Sequence, residues 1–139
     1  METSSFNFPT DTRVGPGVIA QLNETLLALG IHRPLVVTDA GLLATDAYKK
    51  LVGALLPGKP DRDWFLFSEV QPNPTEANTR GAARLALDKR CDGIVGLGGG
   101  SALDAAKVCR ILIKQPKLKL ADYDWEADWS GLLPFIAIP

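Results

Sequence analysis

The sequence predicts an α/β fold: a parallel β-sheet with helices packed on both faces, in one domain spanning residues 1–139. Three observations predict it. Apolar runs of strand length alternate with segments of helical periodicity, an order that implies right-handed crossovers. The runs are apolar throughout, as strands buried on both faces are. Polar residues suited to binding recur just after the strands, where ligands gather in such sheets.

Each element has its own signal. Ser5-Phe6-Asn7-Phe8 reads as a short edge strand, and Gly15-Pro16-Gly17 as a turn. Val18, Ile19, Leu22, Leu26 and Leu29 share one helical face, and Gly30 stops that helix. Leu35 to Thr38 is a buried strand ended by Asp39. A second helix starts near Thr45, turns Ala47, Leu51, Ala54 and Leu55 inward, and stops before Pro57-Gly58. Trp64 to Phe67 is the next strand. The segment Gln71-Pro72-Asn73-Pro74-Thr75 cannot continue a regular element, because its prolines lack backbone donors. Thr75 caps a helix reaching Arg90. Gly93 to Leu97 is a strand, Ser101 to Ile113 a helix, and Leu133 to Ile138 a last strand. A buried strand as the final element is the expectation for a truncated polypeptide.

Composition excludes several classes. A formal net charge of −1 gives no electrostatic case for nucleic acid or an anionic membrane. No apolar run approaches the ~20 residues of a membrane span. The start, METSSFNF, lacks the basic-then-apolar order of a signal peptide, so a cytoplasmic protein is expected. Cys91 and Cys109 share no short motif and read as free thiols. His32 stands alone, with no ligand cluster that would make a metal site. The acidic-aromatic run 122–129, DYDWEADW, reads as a loop with aromatic packing.

The informative stretch is Gly96 to Lys107, GLGGGSALDAAK. Three consecutive glycines, Gly98, Gly99 and Gly100, interrupt a strand-to-helix junction. Glycine lets another group approach the backbone, and the unpaired N–H groups of a helix start attract anions. The glycines can therefore clear space for a phosphate or pyrophosphate. Ser101 and Asp104 also satisfy a capping box, a purely structural alternative. Ala102, Ala105 and Ala106 let the helix lie close to sheet and ligand. Asp104 would be repelled by a pyrophosphate and must point away from it, towards a hydroxyl or an amide; Lys107 can pair with it. Asp39 can accept hydrogen bonds from a ribose diol and would repel a 2′-phosphate, or it can cap a helix. Asn73 can reach an adenine or close an Asx turn. The order is not that of the usual dinucleotide fingerprint: Ser101 stands where the third glycine of G-x-G-x-x-G belongs, and the turn follows the fourth predicted strand rather than the first.

The stretch Gly98 to Lys107 resembles the GGGS-x-x-D-x-A-K signature of the iron-containing (group III) alcohol dehydrogenases. The Gly-Pro-Gly turn, Val36-Val37-Thr38-Asp39-Ala40-Gly41, Pro72-Asn73-Pro74-Thr75 and the Leu133-to-Pro139 strand extend the resemblance over the whole chain. It implies a Rossmann-like nucleotide-binding domain, with the family's all-helical C-terminal domain absent from this chain. It implies hydride transfer between an alcohol and an aldehyde or ketone, with NAD or NADP as cofactor; the charge of Asp39 favours NAD, and a homo-oligomer is expected. Carried over by position, Asp39 faces the adenosine ribose, Asn73 contacts the adenine side, Gly98, Gly99, Gly100 and Ser101 form the pyrophosphate turn, and Asp104 lies towards the nicotinamide. The family's further cofactor loop and its ligands for Fe²⁺ or Zn²⁺ have no counterpart here. The chain is thus expected to be the NAD-binding portion of a larger enzyme, inactive alone, with no catalytic or metal-ligating residue of its own. A related polyol dehydrogenase, a dehydroquinate synthase-like lyase, or a non-catalytic nucleotide-binding fragment are the alternatives.

Overall fold

The computed structural model describes residues 11–55, 63–124, 126, 128 and 130–139. The expected strand at residues 5–8 and most of the 57–63 loop lie outside them. The chain order is α1 (Leu22–Ala28), β1 (Pro34–Val37), α2 (Asp46–Leu55), β2 (Phe65–Phe67), α3 (Glu76–Asp88), β3 (Gly93–Leu97), α4 (Gly100–Lys114) and β4 (Phe135–Ile138). A 3-10 turn, Val18–Gln21, leads into α1.

Among the described residues four strands form one parallel sheet in the order β2-β1-β3-β4. Val36 registers with Leu66 on one side and with Val95 on the other. Every residue of β1 and β3, the central strands, is buried, whereas β2 and β4 at the edges are partly exposed. That is why the central strands are apolar at every position: each side chain meets a helical layer.

Two cores result. Leu35, Val37 and Ile94 pack against α3 and α4 through Ala82, Ala83, Ala86, Ala105 and Ala106. Val36, Val95 and Leu97 pack on the other face against Leu22, Leu26, Leu51 and Leu55 of α1 and α2. Leu29, expected inside, is 45% exposed, because α1 ends at Ala28 and Ile31 turns inward instead. Ala47 is likewise exposed, and Tyr48 takes the inward place.

The connections fix where a ligand can bind. From β1 the chain crosses to β2 on one side, then returns past β1 to β3 on the other. The loops after β1 and β3 therefore diverge from neighbouring strands, and such a switch point leaves a crevice at the carboxyl ends. Thr38 holds this point together. Fully buried, it donates Oγ1–H to Leu97 O at 2.8 Å, while its N–H donates to Phe67 O at 2.9 Å. One residue thus ties the ends of β1, β2 and β3.

The opposite, amino-terminal edge is closed by Asp92, whose carboxylate accepts the His32 and Arg33 N–H groups. Arg33 in turn donates to Lys89 O, pairs with Asp63 and lies 5.2 Å from the Phe65 ring centre.

Candidate functional site

A cleft of about 520 Å³ opens at the switch point. Its walls are residues 39–41 after β1, residues 70–72 after β2, and residues 99–102 at the start of α4.

The glycine turn has an asymmetric design. Gly98 continues the sheet by donating its N–H to Ile138 O at 3.1 Å, and it adopts φ +132°, which side chains disfavour. A Cβ there would fall 2.8 Å from Leu42 Cδ1 and 3.1 Å from Ala102 Cβ. Gly98 is thus required by the fold itself. Gly99 and Gly100 differ: nothing lies within 4 Å of a Cβ built at either. Their missing side chains leave open space on the cleft side.

Ser101 is not the cap of α4. Gly99 takes that position with extended φ −78°, ψ −168°, so the helix begins at Gly100 and the alternative capping box with Asp104 does not form. Glycine has no side chain to offer, and the first-turn N–H groups receive no side-chain cap. The start of α3 shows the contrast: Thr75 Oγ1 accepts the Asn78 N–H at 3.1 Å, and Glu76 supplies a charge in the first turn. The first turn of α4 has neither cap nor carboxylate.

Asp39 stands across the cleft, half-buried, between two glycines. Its Oδ1 lies 3.1 Å from a Cβ built on Gly41, and its Oδ2 3.8 Å from one built on Gly98. It precedes a short 3-10 turn, Ala40–Leu42, but makes no side-chain capping bond to it. The capping alternative does not describe this carboxylate.

Asn73 and Asp104 are exposed and do not line the cleft. Among the described residues Asn73 closes no Asx turn; Gln71 and Pro72, its neighbours, form the wall. Asp104 and Lys107 are both exposed and form no ion pair among the described residues, contrary to the expected pairing. Asp104 lies one helical turn beyond Gly100, on the same side of α4. Sequence reasoning overlooked Asn78, whose side chain binds the 69–71 segment. An asparagine three residues after a Thr cap carries no signal by itself.

Both cysteines are buried free thiols. Burial pushes the Cys109 thiol up to about 12, with a smaller contribution from Cys91. Cys91 rises to about 11, again through burial, opposed by Arg33. Neither faces the cleft.

The sequence profile of the iron-containing alcohol dehydrogenases matches residues 9–139. Alcohol dehydrogenase 4 of Schizosaccharomyces pombe is 34% identical over 139 residues, covering 99% of this chain and 32% of that protein. The 4-hydroxybutyrate dehydrogenase of Cupriavidus necator is 38% identical over 96 residues, which cover 69% of this chain and 24% of that protein. Among solved structures, an iron-containing alcohol dehydrogenase superposes with a TM-score of 0.81 at 31% identity, covering 99% of this chain and 38% of the other. The sulfoacetaldehyde reductase of Bifidobacterium kashiwanohense, solved with NAD⁺, shares the fold with a TM-score of 0.80 at 24% identity, covering all of this chain and 36% of the other. This chain spans about a quarter to a third of the length of the curated relatives it matches. With the profile matched from residue 9 to residue 139 and the same parallel sheet beneath it, the chain belongs to the iron-containing alcohol dehydrogenase family.

Proposed function

We propose that this chain forms the NAD-binding portion of an alcohol dehydrogenase that interconverts a small alcohol with an aldehyde or ketone. The observation that carries the reading is the pairing across one cleft of an uncapped, acid-free helix start with a carboxylate that caps nothing.

The residues fit the cofactor. Open space over Gly99 and Gly100 admits a pyrophosphate against the N–H groups of Gly100, Ser101 and Ala102, and the positive end of α4 favours its charge. Gly98 sets the direction of that turn. The Asp39 carboxylate accepts the ribose diol and repels a 2′-phosphate, selecting NAD over NADP. Asn73 and Asp104 make contacts at the rim, towards the adenine and nicotinamide ends respectively. When bound, NAD supplies the hydride acceptor, and the protein's part is to hold and orient it.

No step through a metal is assigned to these residues. Among the described residues there is no group of three or more His, Cys, Asp or Glu side chains placed to hold one. Fe²⁺ or Zn²⁺, as the family name and the resemblance suggest, would take its ligands from elsewhere.

The test is cofactor preference in the full-length protein. It is expected to use NAD with a higher kcat/KM than NADP, and Asp39→Gly is expected to narrow the gap. Equal kcat/KM for the two cofactors in the unmutated protein would sink the assignment of Asp39.

A further inference from the structure

Asn78 lies outside the cleft yet holds one of its walls. It is the third residue of α3, and its side chain turns back onto the segment before the helix. Its Nδ2–H donates to Glu69 O at 2.7 Å, and its Oδ1 accepts the Gln71 N–H at 3.1 Å. The two bonds fall on either side of Val70 and just before Pro72, in the cleft wall facing the glycine turn.

Val70 anchors that wall through its buried side chain, but few backbone bonds hold Gln71 and Pro72. Pro72 and Pro74 have no N–H to donate. The Val70 N–H reaches Thr38 O only at 3.4 Å, a long bond. A side-chain amide can donate and accept at once, as this position requires, whereas a carboxylate or an alkyl group cannot. The helix start does not need the side chain either, since Thr75 already caps α3 through the Asn78 backbone.

We propose that Asn78 is a positioning residue for the cofactor: by clamping Glu69 and Gln71 it sets how far the 70–72 wall stands from the glycine turn, and so sets NAD affinity. The proposal rests on the cofactor reading above. It separates two consequences of mutation that a purely structural role would not. Alanine is a better helix former than asparagine, so Asn78→Ala leaves α3 intact while freeing the wall.

The experiment is calorimetric titration of NAD into the full-length protein and its Asn78→Ala and Asn78→Asp variants. Denaturation midpoints and kcat at saturating NAD are measured alongside. Asn78→Ala is expected to raise Kd at least about fivefold, the loss of a two-bond clamp, with kcat at saturating NAD falling less than kcat/KM and the midpoint falling by no more than two hydrogen bonds account for. Asn78→Asp keeps the acceptor for Gln71 and loses the donor to Glu69. Its loss is expected to be smaller when measured at high ionic strength, where the added charge is screened. An unchanged Kd in Asn78→Ala overturns the proposal, whether or not the midpoint falls. Failure of the unmutated protein to bind NAD overturns the cofactor reading itself, and this inference with it.

Discussion

Adjacent glycines in one turn have opposite reasons to be glycine. At Gly98 the backbone demands it: φ is +132°, and an added methyl would meet Leu42 and Ala102. Gly98→Ala is expected to cost on the order of 2–3 kcal/mol, from strain plus overpacking, read as a lower urea midpoint. At Gly99 the chain is extended and the space is open, so only a ligand would object. Gly99→Val is expected to keep the far-UV circular dichroism of the parent and lose NAD binding. Unchanged NAD affinity would reduce the turn to a structural role. Cys109 gives a third residue-level test. Burial disfavours the thiolate and pushes its pKa in the folded state up from the ordinary 9.0 to about 12. The sign follows: the folded state binds the thiol proton more tightly, so this contribution to stability is complete below pH ~9 and is lost as the pH rises towards ~12. Urea midpoints measured from about pH 8 to 11 should therefore fall more steeply in the unmutated protein than in Cys109→Ala. Parallel slopes would count against it.

Two helices end alike, and the comparison exposes a weak joint. After α1, the Gly30 N–H donates to Leu27 O and the Ile31 N–H to Leu26 O. After α3, the Arg90 N–H donates to Leu87 O and the Cys91 N–H to Ala86 O. Both are Schellman closures, with a left-handed residue followed by a buried apolar one. Gly30, at φ +72°, suits its place; Arg90, at φ +54°, does not. Arg90→Gly is expected to stabilise the protein by about 0.5–1 kcal/mol, seen as a higher denaturation midpoint. A fall would show that the arginine side chain contributes more than its backbone costs. At this scale the sequence was mostly legible. Continuous apolar runs marked the central strands because both faces are covered, and Thr75 declared the start of α3. The start of α4 lies one residue earlier than expected, because the glycines let the helix begin at Gly100, and the alternative capping box of Ser101 and Asp104 does not form. Leu29 was misplaced because periodicity does not say where a helix stops. Asp39 and the glycine turn could be placed beside one another at the cleft because strand ends are visible in sequence. Thr38 and Asn78 were not, since their roles depend on carbonyls that only the fold brings near.

At the scale of the molecule, the sheet has two polar ends that do not mix. The cleft, Asp39 and the start of α4 occupy the carboxyl ends of the strands. The chain's single histidine lies at the other: His32 follows α1, precedes β1, and gives its N–H to Asp92, the residue before β3. The imidazole is therefore separated from the cleft by the length of the central strands, about 13–17 Å for four or five residues. Zinc requires several N, O or S ligands converging at ~2.0–2.3 Å, and the described residues bring no such group together. The cysteines offer no alternative, because both thiols are buried in the α3–α4 core and held protonated. The edges of the sheet add a second consequence. Among the described residues β2 and β4 are the edges and are partly exposed, and an edge that is not covered tends to pair with another chain. The 139-residue polypeptide by itself is therefore expected to self-associate, to hold no stoichiometric metal, and to turn over no alcohol. Light scattering, elemental analysis and an assay of NADH formation from simple alcohols check the three parts. One equivalent of bound iron or zinc, or turnover above the blank, would mean that a ligand set forms which neither the histidine's position nor the thiol burial allows.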